Sequence, residues 1–100
     1  MEIYVHTPHL KADQESIRAD VAAGLTRFAE KLTRVEVYLS DVNGHKGGVD
    51  KRCLLEARPR GQQPVAAEDT AADPSGAVEG AVGKLERLLD HHFGRLEDRR

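Results

Sequence analysis

Apolar positions along this chain recur with two different periods, and the switches between them mark out its elements. Met1 to His6 alternates, with Ile3 and Val5 facing one way and Glu2, Tyr4 and His6 the other. That pattern predicts a short strand, closed by Thr7-Pro8. From Lys11 to Leu32 the period lengthens. Ile17, Val21, Leu25, Phe28 and Leu32 recur at four, four, three and four, the stripe of one amphipathic helix. Asp13 is placed to cap it, and Glu15 suits the positive end of its dipole.

Alternation returns at Thr33 to Val42, where Val35, Val37 and Leu39 interleave with Arg34, Glu36, Tyr38 and Ser40. One face of this strand should be buried and the other wet. Asn43 to Gly48 reads as a glycine-rich turn. Lys51 to Arg58 is a third strand with Cys53, Leu55 and Ala57 inward, and Val65 to Ala71 a short fourth one beyond the break at Pro59 to Pro64.

Asp73 to Asp98 is the longest element, a helix capped by Asp73 with Pro74 at its first position. At about 100° per residue, Val78, Ala81, Val82, Leu85, Leu88, Leu89, His92 and Leu96 form its apolar stripe. Lys84, Arg87, His91 and Arg95 form a basic row beside it. Glu79, Glu86, Asp90 and Glu97 collect on a third side, away from the basic row. Gly76, Gly80 and Gly83 fall between the two charged rows, on the outward side. Each costs about 0.8–1 kcal/mol against Ala in a helix interior. Two explanations stand open: close approach of a partner's backbone, or drift in a helix held by tertiary packing.

The order β-α-β-β-β-α gives an α+β fold. Two helices with one apolar stripe each can cover only one face of a four-stranded sheet. The first crossover should leave a parallel pair and the two later hairpins antiparallel ones, so the sheet is expected to be mixed.

Composition narrows the function classes. One hundred residues form one domain, with 39% hydrophobic and 32% charged residues, as in a small globule. No apolar run reaches the roughly 18 residues of a membrane span, and MEIYVH lacks the pattern of a secretory signal. A single cysteine forbids an internal disulfide. These features predict a cytoplasmic protein with no membrane partner. The net charge of −2 means that attraction for an anion must come from local arrangement. The basic row of the last helix is such an arrangement, and nucleic acid is its commonest partner. A charged row is also what a solvated helix face looks like, but solubility alone does not require sorting acids from bases. Arg27 and Lys31, one turn apart beside the first helix's stripe, would extend the positive surface. Lys46, Lys51 and Arg52 make the first hairpin tip positive.

Catalysis and metal binding find little support. His6, His9, His45, His91 and His92 are not joined to Cys53 or to each other by any spacing that makes a nucleophile-and-base pair. Cys53 sits at a core position, and His91 and His92 point about 100° apart on a helix. No catalytic residue, metal ligand, cofactor or small-molecule substrate is expected.

Four segments in this order, TRVEVYLSD (Thr33 to Asp41), NGHKGG (Asn43 to Gly48), DKRCLLEAR (Asp50 to Arg58) and AVGKLERLLD (Ala81 to Asp90), resemble the ribosome hibernation promoting factor family. It is also called the ribosome-associated inhibitor A or sigma-54 modulation protein family. The resemblance spans nearly the whole chain and implies a single ribosome-binding domain over residues 1–100. It further implies a non-catalytic bacterial protein on the small ribosomal subunit, contacting 16S ribosomal RNA in the channel of messenger and transfer RNA. Such proteins block translation in stress or stationary phase. Matching the KLER segment carries RNA contact onto Lys84 and Arg87, while His91 stands where the family usually has lysine. The chain resembles the family's short form, without the domain that pairs ribosomes, and is expected to be a monomer.

Two other classes compete. One is a protein-interaction module modulating a transcription factor, using the wet sheet face that bears Tyr4, Tyr38 and Leu54. Its binding would survive nuclease and moderate salt. The other is a small enzyme, which would need a pocket joining at least two histidines.

Overall fold

The computed structural model describes residues 1–8, 10, 12–42 and 51–98, the last three by their backbone. The Asn43 to Gly48 turn, with Lys46, lies outside the described residues, as do the side chains of Leu96 and Glu97. The elements are β1 (Glu2–His6), α1 (Gln14–Gly24), β2 (Leu32–Asp41), β3 (Lys51–Pro59), β4 (Val65–Ala71) and α2 (Pro74–Asp98). The sheet order is β1-β2-β3-β4. β1 pairs parallel to β2, and the two hairpin pairs are antiparallel, so the mixed sheet expected from the connections forms. Register places Val5 beside Val37, Val37 beside Leu55 and Leu55 beside Ala67, one apolar rung across all four strands.

Both helices pack on the face that these residues present. α1 supplies Ile17 and Val21, and α2 supplies Ala77, Val78, Ala81, Val82, Leu85 and Leu89. α1 also contacts β1, while α2 lies over β3 and β4. Leu25, Phe28 and Leu32 are buried as their spacing requires, but the helix does not run through them. α1 ends at Gly24, where the Thr26 hydroxyl donates to the carbonyls of Ala22 (2.9 Å) and Ala23 (3.0 Å) and satisfies groups left open at a helix end. A 3-10 turn at Thr26–Phe28 follows, and Leu32 already belongs to β2. A turn of tighter pitch keeps the apolar side chains on one side, so the periodicity outlasts the helix.

Two further positions differ from their patterns. Leu88 is 44% exposed, lying at the margin of the stripe where β4 is the last strand. Glu36 is on the helix-free face as expected but is only 6% exposed. Its Oε1 is 2.7 Å from His6 Nε2, its Oε2 accepts from Arg34 Nε at 2.9 Å, and His6 stacks on Tyr38 with ring centroids 4.8 Å apart. A central-strand carboxylate is thus covered by its own cross-strand partners.

Candidate nucleic-acid interface

α2 is held against the outer strand by features of its first half. Asp73 Oδ1 accepts from the backbone N–H of Gly76 at 2.7 Å, the predicted cap. Gly76 then lies beside Ala71, Gly80 beside Asp69, and Lys84 beside Glu68 and Asp69. As α2 advances, β4 is met in reverse, so helix and strand run antiparallel. A β-carbon at Gly80 would collide with the Asp69 carboxylate, and one at Gly76 would crowd Ala71 Cβ at 3.1 Å. These two glycines serve close packing on β4 rather than lying open on the outward side. Gly83 has only the Arg87 guanidinium near it, at 3.8 Å.

The tight packing turns the basic row along the β4 flank of α2. Lys84, Arg87, His91 and Arg95 are all exposed there. Lys84 Nζ donates to the Glu68 carbonyl and to Asp69 Oδ1, both at 3.2 Å. No hydrogen bond or ion pair engages Arg87, His91 or Arg95 among the described residues. His92 next to them is half-buried, its ring edge-on to Phe93 at 5.0 Å and its Nε2 enclosed without a hydrogen-bond partner. A shallow trough of about 440 Å³ between α2 and β4 is lined by Asp69, Gly76, Glu79, Gly80, Gly83, Lys84 and Arg87.

The acids lie on the other flank, as their spacing predicts. Glu79 and Glu86 join Asp20 of α1 in lining a groove of about 590 Å³ between the helices. Arg27 also stands on this side. It grips Asp90 with two bonds, Nη1 to Oδ1 at 2.7 Å and Nη2 to Oδ2 at 3.0 Å, with Glu86 3.8 Å away. That bond holds the Asp90 carboxyl below its ordinary range. The Arg27 guanidinium also lies 4.5 Å over the Phe28 ring, and Lys31 Nζ lies 4.8 Å from the centroid of Phe93. Arg27 and Lys31 are therefore separated from the β4-side row by the acids of α2.

The remaining cations are placed differently again. Lys51 Nζ is 3.4 Å from Asp41 Oδ2 at the base of the first hairpin. Arg52, on the helix-free face, donates from Nε to Glu68 Oε2 at 2.8 Å. The structure thus gathers four of the named cations on one flank of α2 and leaves Arg27, Lys31, Lys51 and Arg52 elsewhere.

Sequence reading did not identify the acids that hold these cations, Asp41, Glu68, Asp69 and Asp90. Only Asp41 and Glu68 could have been paired with their cations in advance, because strand register puts Lys51 opposite Asp41 and Arg52 two positions from Glu68's partner. No group of three metal-ligating side chains occurs among the described residues. Cys53 is buried beneath the helices, where desolvation pushes its thiol up to about 12.

A one-sided α+β sheet whose outer helix carries bases on one flank and acids on the other defines a class of small charged-surface binding domain. The chain belongs to the sigma 54 modulation protein / S30EA ribosomal protein family, whose model matches residues 3–97. This is the family that the four sequence segments resemble. Among solved structures, a ribosomal subunit interface protein from Coxiella burnetii is similar with a TM-score of 0.75 at 15% identity, covering 94% of this chain and 99% of that one. The N-terminal domain of Protein Y from Thermus thermophilus is similar with a TM-score of 0.69 at 26% identity, covering 92% and 99%. No curated protein matches the chain. The family description and the first neighbour's name both refer to the ribosome. No helix among the described residues is long and apolar enough to cross a membrane.

Proposed function

We propose that this protein is a non-catalytic, cytoplasmic inhibitor of translation that binds 16S ribosomal RNA in the messenger and transfer RNA channel of the small subunit during stress or stationary phase. Family membership supports ribosome association. The observation that carries the RNA reading is the exposed row Arg87, His91 and Arg95, which no acid neutralises among the described residues, on the helix flank opposite the acids. Four-residue steps raise successive side chains by about 6 Å along the helix, a ladder of charge suited to following a phosphate backbone.

Binding through phosphates releases counterions, so affinity should fall steeply with salt. The test is co-sedimentation with purified small subunits by the double variant Arg87→Glu, Arg95→Glu, with its fold checked by circular dichroism. Loss of co-sedimentation with an intact fold supports the reading. Retained binding moves the contact elsewhere. Binding that survives nuclease and salt but is lost in Tyr4→Ala, Tyr38→Ala would favour a protein partner on the helix-free sheet face, where both tyrosines are exposed.

A further inference from the structure

Of the four cations in the row, Lys84 alone is engaged. It uses two of its three N–H donors, one on Asp69 Oδ1 and one on the Glu68 carbonyl. Asp69 is itself fixed, because its Oδ1 also accepts from the Thr70 backbone N–H at 3.0 Å. Its second oxygen occupies the space that any side chain at position 80 would fill, which only glycine leaves open. The carboxylate is therefore preorganised on the cation that the family's KLER segment would offer to RNA. Arg87, one turn further on, has no such acid.

We propose that Asp69 sets the affinity of this domain for RNA by occupying Lys84, so that the first position of the basic row carries its own competitor for phosphate. The proposal rests on the RNA-binding reading above. A phosphate approaching Lys84 meets a carboxylate 3.2 Å from Nζ, which repels it and already fills the site it needs. The lysine is 49% exposed and the aspartate 32%, so the pair stands at the surface, where ion pairs are weak enough to bias binding without closing it. The charge removed from the row is then a tuning device: it lowers affinity without altering the helix.

Asp69→Asn keeps the shape that Gly80 accommodates and removes the charge. It should bind purified bacterial small subunits roughly two- to ten-fold more tightly, the range expected from releasing one exposed pair. The slope of log affinity against log salt should steepen by roughly 0.7–0.9, one more phosphate contact. Adding Lys84→Met to Asp69→Asn should erase both gains, and Lys84 should acetylate faster in Asp69→Asn than in the parent. Should that variant fail to fold, Asp69→Ser carries the same test. Unchanged or weaker binding by a folded Asp69 variant overturns the proposal, as does a gain that survives Lys84→Met. The Arg87→Glu, Arg95→Glu protein separates the two failures. If it loses binding while the Asp69 variants gain nothing, only the competitor is refuted. If the parent itself does not bind, the RNA reading falls and takes the competitor with it.

Discussion

Val82 Cγ1 occupies the space that a β-carbon on Gly24 would need, so the last residue of α1 meets α2 through its bare backbone. Val82 itself is buried, which leaves the methyl little room to retreat. Gly24→Ala should therefore destabilise the fold by about 1–3 kcal/mol through overpacking, read from the midpoint of urea unfolding. Combining it with Val82→Ala should recover part of that loss, because the two sites share one contact. Additive losses would show that the helices can part freely here.

Leu85 and Leu88 are separated by less than one turn but belong to different environments. Leu85 is fully buried and Leu88 is 44% exposed. Leu85→Ala should cost about 2–5 kcal/mol, the range for truncating a core leucine. Leu88→Ala should stay within about 0.5 kcal/mol, as surface changes do. Equal effects in chemical denaturation would mean that β4 covers Leu88 in solution.

Acid should reach two carboxylates last. Asp90 is held below its ordinary value of 3.8 chiefly by Arg27, and Asp69 chiefly by the Thr70 N–H and then Lys84. A carboxyl with a lower pKa folded than unfolded adds stability above the unfolded value, and loses it as pH falls through the folded one. The difference in melting temperature between the parent protein and Asp90→Asn should thus be constant near neutrality and vanish in strong acid. A difference that grows on acidification would contradict the Arg27 pairing.

Cys53 should be silent to thiol reagents. With its pKa pushed up to about 12 by burial, almost no thiolate exists at neutral pH. A disulfide reagent should react with less than one thiol in the folded protein and with one after guanidinium is added. Rapid reaction of the native protein would place the thiol outside the core.

Much of this architecture could be read in advance because its strands and long helix each bury one face, and burial writes a period into sequence. Val35, Val37 and Leu39 gave β2 its inward face, and Asp73-Pro74 marked the start of α2. α1 was overextended because a 3-10 turn and the start of a strand preserve the same apolar stripe at Leu25, Phe28 and Leu32. Gly24, the backbone contact with α2, carries no periodic signal. The charged surface was legible as rows and illegible as pairs. Spacing along α2 separated acids from bases, but Asp69 and Asp90 meet Lys84 and Arg27 across elements, at positions that only the packing of α2 fixes.

α2 has 25 residues and β4 has 7. At standard rises these span about 37 Å and about 23 Å, so roughly 14 Å of helix outruns its strand. The overhang is at the carboxyl end, since α2 starts beside Ala71 at the strand's far end. It makes the last turns a cantilever, with His91 and Arg95 carried toward its tip. Reach and stability are then separable quantities. Inserting whole turns after Arg95 would push the helix tip outward by about 5.4 Å each while every core rung stays in register, so the length of the terminal arm can vary without remaking the domain that bears it.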